Sequence, residues 1–207
     1  MADNRMSTRG YFDRMAMGWD DFGDPDKIRS RLEPLVAMFD IPKGGIVLDV
    51  GTGTGILHPW LLAAVGHSGK VLAFDFSSRM LEQALMKRHS QNLVCFQADA
   101  TAIPLPGQTC DCVVCFAAFP HFHNKRQALQ EMARVTKHGG QVLIAHLMSR
   151  RQLARHHHTS PEVDGHCLPP HSEMERLFSE AGMENISIQD NPGLYFAKGV
   201  RIPACGS

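Results

Sequence analysis

The 207-residue sequence has no surplus of either charge: 21 Lys and Arg stand against 21 Asp and Glu. It also lacks a basic block, the usual footprint of a nucleic-acid-binding face. The nearest approach is Arg150-Arg151 with Arg155, too short to form one. No apolar run nears the roughly 20 residues that a membrane-spanning helix needs. The opening residues, Met1 to Gly10, are polar and show no signal peptide. These absences point to a cytoplasmic protein that binds neither nucleic acid nor membrane. Neither common phosphate-binding turn is present. No Gly-Lys-Ser/Thr follows a glycine loop, and the G-x-G-x-x-G pattern counted from Gly51 meets Ile56 at its last position.

Six cysteines occur, at 95, 110, 112, 115, 167 and 205. Cys112-x-x-Cys115 has the spacing of a metal or redox pair. It falls, however, in an apolar run that reads as a strand, where side chains three apart point to opposite faces. Buried, reduced thiols are expected.

The content is that of a single domain, 43% hydrophobic. The chain is organised around Val47 to Leu57, V-L-D-V-G-T-G-T-G-I-L. An apolar strand ends at Asp49. Gly51, Gly53 and Gly55 follow, and a helix is predicted over Ile56–Val65, with Pro59 tolerated in its first turn. Strand, glycine turn and helix bring bare backbone and free N–H groups close to a nucleotide-like ligand. A second strand, Val71 to Asp75, again ends in an acid, 24 residues past Gly51 and near the spacing for a carboxylate that accepts ribose hydroxyls. Ser77 caps a helix over Ser78–His89. Leu93–Gln97 is a third strand, followed by Ala98-Asp99-Ala100 and Pro104.

A fourth strand, Asp111–Ala117, a helix over Lys125–Lys137 closed by Gly139-Gly140, and a fifth strand, Gln141–Leu147, complete the alternation. A helix over Ser172–Ala181 precedes a hairpin of 185–190 and 194–200. At the N-terminal end, Tyr11, Phe12, Met15 and Trp19 share a helical stripe, and Asp26–Asp40 is a second helix containing Pro34. Strand–helix alternation of this kind gives an α/β, Rossmann-like, doubly wound and mostly parallel sheet.

Four signals in order resemble the class I S-adenosylmethionine (SAM)-dependent methyltransferases: G-x-G-x-G after an acid, Asp75, the D-A-x-x-x-P stretch at Asp99, and E-M-A-R-V-T-K-H-G-G-Q-V-L-I-A-H. His138 stands where the family usually carries proline. The opening F-D-x-x-A-x-x-W-D, Phe12 to Asp20, resembles the ubiquinone-biosynthesis type (the methyltransferase domain 11-like group). The resemblance spans about residues 41–199. It implies a seven-stranded sheet with an antiparallel last strand and SAM as cofactor. It also implies cofactor contacts at Asp49, Gly51, Gly53, Gly55, Asp75, Phe76, Asp99, Ala100 and Cys115. The expected division is a helical flap over 1–40, a SAM-binding core over 41–147, a His-rich insert over 148–171, and a last helix and hairpin over 172–207.

Nine of the twelve histidines lie from His121 onward. His146 and His121, at predicted strand ends, are candidate general bases or substrate contacts. A metal site from His121, His123, His146 and His157 is the other chemical reading, although no fixed ligand spacing supports it. The Asn/Asp-Pro-Pro-Tyr/Phe loop of nucleic-acid amino-methylating enzymes is absent after strand four, as is the Pro-Cys nucleophile of cytosine C5 enzymes. A small-molecule acceptor is expected, with a homodimer left open. The rival readings are a non-catalytic SAM- or metal-binding module and a nicotinamide oxidoreductase; Ile56 argues against the latter.

Overall fold

The computed structural model describes residues 2–21, 23–87, 90–158 and 161–202. Cys205 and His89 lie outside them. The described chain runs α1 (Ala2–Met15), a 3₁₀ turn (Ala16–Asp21), α2 (Pro25–Ala37), β1 (Ile46–Val50), α3 (His58–Val65), β2 (Lys70–Asp75), α4 (Ser78–Met86), β3 (Leu93–Gln97) and β4 (Cys110–Phe116). A second 3₁₀ turn (Phe119–His121), α5 (Lys125–Val135), β5 (Thr136–His146), α6 (Arg150–His157), α7 (His171–Glu180), β6 (Met183–Asn191) and β7 (Leu194–Arg201) follow. The strands form one sheet in the order β3-β2-β1-β4-β5-β7-β6. β1 to β5 run parallel, and β7 inserts antiparallel between β5 and β6. The strand order reverses between β1 and β4, which is where open α/β sheets bind ligands.

The sheet is buried on both faces, so its strands read as near-continuous apolar runs. On one face Leu48, Val50, Val113 and Cys115 pack with Leu129 and Met132 of α5, Leu153 of α6 and Phe178 of α7. On the other, Val47, Cys112 and Val114 pack with Leu32 and Leu35 of α2, Phe39 just after it, Leu57 at the cap of α3, and Leu61 and Val65 of α3. Cys112 and Cys115 thus lie on opposite sides of the sheet, with free thiols, as strand geometry requires. Burial pushes both thiols up, to about 12 for Cys112, which keeps them protonated and inert.

Several elements differ in their bounds from the sequence reading: α3 starts at His58 and α4 ends at Met86. α5 ends at Val135 and β5 starts at once with Thr136, so Gly139-Gly140 lies inside the strand. The ladder skips there, from Cys110↔Thr136 to Cys112↔Gln141. Gly140 fits this bulge because a Cβ would sit 2.7 Å from the Asp111 carbonyl oxygen. The expected helix over Asp26–Asp40 stops at Ala37, with Pro34 inside it. The His-rich insert contains a helix, α6, whose Ser149 and Gln152 form a reciprocal capping box.

β7 carries Gly199 directly under α7. A Cβ there would lie 2.6 Å from Phe178 Cδ1 and 3.0 Å from Met183 Cβ. Gly199→Ala is therefore expected to lower unfolding stability by about 1–3 kcal/mol through overpacking, read as a fall in the urea midpoint at unchanged slope. An unchanged midpoint would mean that α7 is not seated on β7 as described.

Candidate functional site

The glycine turn forms the floor of a cavity. Gly51, Gly53 and Gly55 take φ of +69°, +55° and +78°, the left-handed region open to glycine at little cost. The Gly51 and Thr52 N–H groups both donate to the Phe74 carbonyl, each at 2.9 Å, tying the turn to the end of β2. Gly51 has a packing reason as well, since a Cβ would lie 2.5 Å from Ala118 Cβ. At Gly53 a Cβ would meet nothing within 4 Å. Its backbone borders open space.

Asp75 closes the floor. The Gly53 N–H donates to its Oδ2 and the Ser77 N–H to its Oδ1, each at 2.9 Å. Each carboxylate oxygen keeps a lone pair for a further donor. Asp49 is held differently: Thr52 Oγ1 donates to its Oδ2 at 2.6 Å. With that proton committed, Thr52 Oγ1 accepts from His58 Nε2 at 2.8 Å. Burial, the largest cause in both, raises the Asp49 carboxyl to about 7 and Asp75 to about 6. Two buried acids that ionise reluctantly when alone are suited to a cationic ligand, which would favour their charged form. Beyond β3, Asp99 Oδ1 accepts from the Thr101 N–H and hydroxyl at 2.8 and 2.6 Å.

The N-terminal segment forms the opposite wall. The cavity measures about 900 Å³, and Tyr11, Phe12, Met15, Trp19 and Asp20 line it together with the glycine turn, Asp75, Phe76 and Asp99. Phe12 meets Trp19 and Phe76 edge-on, with ring centroids 5.5 and 5.9 Å apart. Three polar contacts fix the segment: Ser77 Oγ to Asp13 at 2.5 Å, Thr54 Oγ1 to Asp20 at 2.5 Å, and Lys87 to Asp20 at 2.8 Å. Asp20 thereby joins the segment to the glycine turn and to the end of α4.

Of the nine cofactor contacts expected from the sequence, Asp49, Gly51, Gly53, Gly55, Asp75, Phe76, Asp99 and Ala100 line the cavity. Cys115 does not; it is buried in the core under α5. His121 and His123 line the cavity as well, together with Phe116, Pro120, Phe122 and Lys125. His146 is displaced from its expected place. It is buried at the end of β5 opposite Tyr195, outside the cavity wall, with no hydrogen-bond partner for Nε2. Burial holds its pKa down near 3. The histidine triplet splits: His156 lines the cavity, His157 is buried, and exposed His158 pairs with Asp164 at 3.0 Å.

The alternative metal set of His121, His123, His146 and His157 does not assemble. Among the described residues no group of three or more His, Cys, Asp or Glu side chains is arranged to hold a metal ion. His121 meets instead His157 and His166, with ring centroids at 4.8 and 5.3 Å. His166 and His58 were not singled out from the sequence. Neither carries a local pattern there; His58 sits in the first turn of α3 and reaches Asp49 only through the fold. No described helix is long and apolar enough to cross a membrane.

The comparisons agree with this geometry. A methyltransferase-domain family matches residues 48–144. The ubiquinone/menaquinone biosynthesis C-methyltransferase UbiE of Hahella chejuensis is 34% identical over 142 residues, 64% of this chain and 56% of that protein. UbiE of Enterobacter is 27% identical over 70% of this chain and 69% of its own length. Against the first of these relatives the chain spans little more than half the length. A SAM-dependent methyltransferase from Aquifex aeolicus superposes with a TM-score of 0.69 at 25% identity, covering 87% of this chain and all of that one. The methyltransferase solved with the Trm112 activator of Haloferax volcanii gives a TM-score of 0.79 at 21% identity, over 93% of this chain and 98% of its own. Sheet order, glycine turn, paired acids and these likenesses all indicate a class I SAM-dependent methyltransferase.

Proposed function

We propose that this protein transfers a methyl group from SAM to a small-molecule acceptor in the cytoplasm. The observation that carries the reading is Asp75, held by two backbone N–H groups beside the open backbone of Gly53. Its two remaining lone pairs suit a vicinal diol, as in a ribose. Asp49, Gly51, Gly53, Gly55, Phe76, Asp99 and Ala100 complete the donor site in this reading, with Asp49 beside the cationic end. When bound, SAM supplies an activated methyl group on a sulfonium. The chain's part is to bind the donor, exclude water and hold the acceptor about 3 Å from the methyl in line with the bond that breaks. The segment over residues 8–20 acts as the flap that excludes water.

The acceptor side is lined by Phe116, Phe122, His121 and Lys125, a partly apolar wall with a few polar groups. The UbiE relatives are named for carbon methylation in quinone biosynthesis, so phenols and quinols are the first acceptors to test. Nucleic acid and membrane have no part in the reading. The Trm112-bound neighbour, at 21% identity, bears on the fold alone. The alternative is a SAM-binding module without catalysis.

The direct test is transfer of labelled methyl from SAM to grouped acceptors: thiols, phenols and quinols, amines, and metalloid oxyanions. Label in one group supports the reading. SAM binding with no label in any group would favour the module.

Two further outcomes follow from the donor site. Asp75→Ala removes two hydrogen-bond acceptors for the ligand and should weaken SAM binding by at least about 10- to 100-fold, the range of a single charge-assisted hydrogen bond. Unchanged affinity by calorimetry would remove Asp75 from the site. Affinity should also depend on pH, with a definite sign. Below about pH 5.5 both buried acids are mostly protonated in the free protein, given their values of about 6 and 7. A cation binds best to their ionised forms, so binding releases protons and tightens as pH rises. The dissociation constant for SAM should fall at least about tenfold between pH 5.5 and 7.5. S-adenosylhomocysteine, which lacks the sulfonium charge, should show a shallower slope. Flat affinity for both ligands would contradict the assignment of Asp49 and Asp75.

A further inference from the structure

Beside the donor site, the cavity wall holds two histidines in direct contact. His121 Nδ1 lies 3.0 Å from His166 Nδ1, a distance that requires one nitrogen to donate and the other to accept. His121 comes from the 3₁₀ turn after β4, His166 from the loop between α6 and α7. A third ring fixes the arrangement: His157 Nδ1 lies 2.5 Å from the His166 carbonyl oxygen and must donate to it. Lys125 Nζ donates to the Pro120 and Phe122 carbonyls, at 2.9 and 3.0 Å, and so braces the peptides flanking His121. The edge of Phe12 meets the His121 ring at 5.0 Å.

The two rings differ in access. Both line the main cavity, but only His166 also lines a second pocket, of about 620 Å³, on the outer side beside Arg151 and Arg155. His121 is the more deeply buried of the pair. The pair therefore connects the acceptor wall to the outside without passing through the donor site.

We propose that His121 and His166 form a proton relay that takes the proton shed by the methyl acceptor and delivers it to solvent. This rests on the methyl-transfer reading and narrows it to acceptors that lose a proton in the step, such as a phenol or quinol. As the acceptor's electron pair forms the bond to the methyl carbon, the electrons of the carbon–sulfur bond leave on sulfur. The acceptor's proton moves to His121 Nε2, the Nδ1 proton of His121 passes to His166 Nδ1, and the Nε2 proton of His166 leaves to water. Both rings end neutral with tautomers exchanged. They reset after the product leaves: His121 Nε2 gives its proton to water in the emptied cavity, His166 Nδ1 returns its proton to His121 Nδ1, and His166 Nε2 takes one from outer water. His157, His146 and Lys125 face His121, while Lys125 and His157 face His166; Glu173 and Cys167 face Lys125. Burial and these neighbours disfavour a cation on either ring, so both stay ready to accept at neutral pH.

The test compares wild type with His166→Asn, which keeps a hydrogen-bonding group but cannot carry a second proton. In ligand-free wild type, nitrogen-resolved NMR of the imidazoles should show one slowly exchanging, downfield ring proton coupled to both His121 and His166. His166→Asn should abolish it, and His121→Asn should give the same loss from the other ring. SAM affinity of His166→Asn should stay within about twofold of wild type, while kcat with phenol or quinol acceptors falls on the order of a hundredfold at pH 7. That loss should shrink as pH rises and the acceptor ionises by itself, a recovery that a purely structural role would not give. Separate ring protons in wild type, or equal kcat at every pH, would overturn the relay. Absence of turnover by wild type with every acceptor would count against methyl transfer instead, and the NMR result would still decide the pairing.

Discussion

The site depends on one buried carboxylate. Asp75 ends β2 and receives the Gly53 and Ser77 N–H groups on its two oxygens. It thereby fastens the turn after β1 to the start of α4. Replacing either N–H by a contact with water would require opening a buried region, where unpaired polar groups are costly. The two Phe74 carbonyl bonds from Gly51 and Thr52 reinforce the same junction from one residue away. Because the strand order reverses next to this junction, the crevice is left open above it, and Gly53 borders it with bare backbone, while Gly51 and Gly55 make room for Ala118 and His58.

The N-terminal segment depends on that junction in turn. Ser77 caps α4 through its hydroxyl oxygen, which accepts from the Met80 N–H at 3.1 Å, while its hydroxyl proton goes to Asp13. One serine therefore serves the helix and holds the wall of the cavity. Asp20 does the same between Thr54 and Lys87. The cluster of Phe12, Ala16 and Met80, with Tyr11, Trp19 and Phe76 packed against it, holds the same segment through apolar contact beside these polar latches.

The donor half of the site was legible because its chemistry is local. An apolar strand, an acid and alternating glycines fall within ten residues, and parallel topology puts successive strand ends side by side. Asp75 could therefore be singled out from its spacing to Gly51, and Asp99 from the resemblance of the D-A-x-x-x-P stretch; both line the cavity. The acceptor half was legible only in part. Its residues come from α1, the turn after β4, and the loop after α6, which no periodicity brings together. His146 is buried at the end of β5 near His121 and His157 and stands off the cavity wall, a placement that its position at a strand end does not decide. Cys115 misled for the same reason, one residue short of the strand's exit. The glycine pair at 139–140 looked like a helix stop, but it serves a strand bulge against Asp111, and glycine is common to both uses.

The most direct test of the account is a crystal structure of the protein with S-adenosylhomocysteine. The account predicts the ligand between the glycine turn and the residue 8–20 segment. Its ribose hydroxyls should lie about 2.6–3.0 Å from the Asp75 carboxylate oxygens, its adenine beside Asp99, and its sulfur facing His121 and Phe122. Density in another crevice, or in this one with the ribose turned away from Asp75, would contradict it.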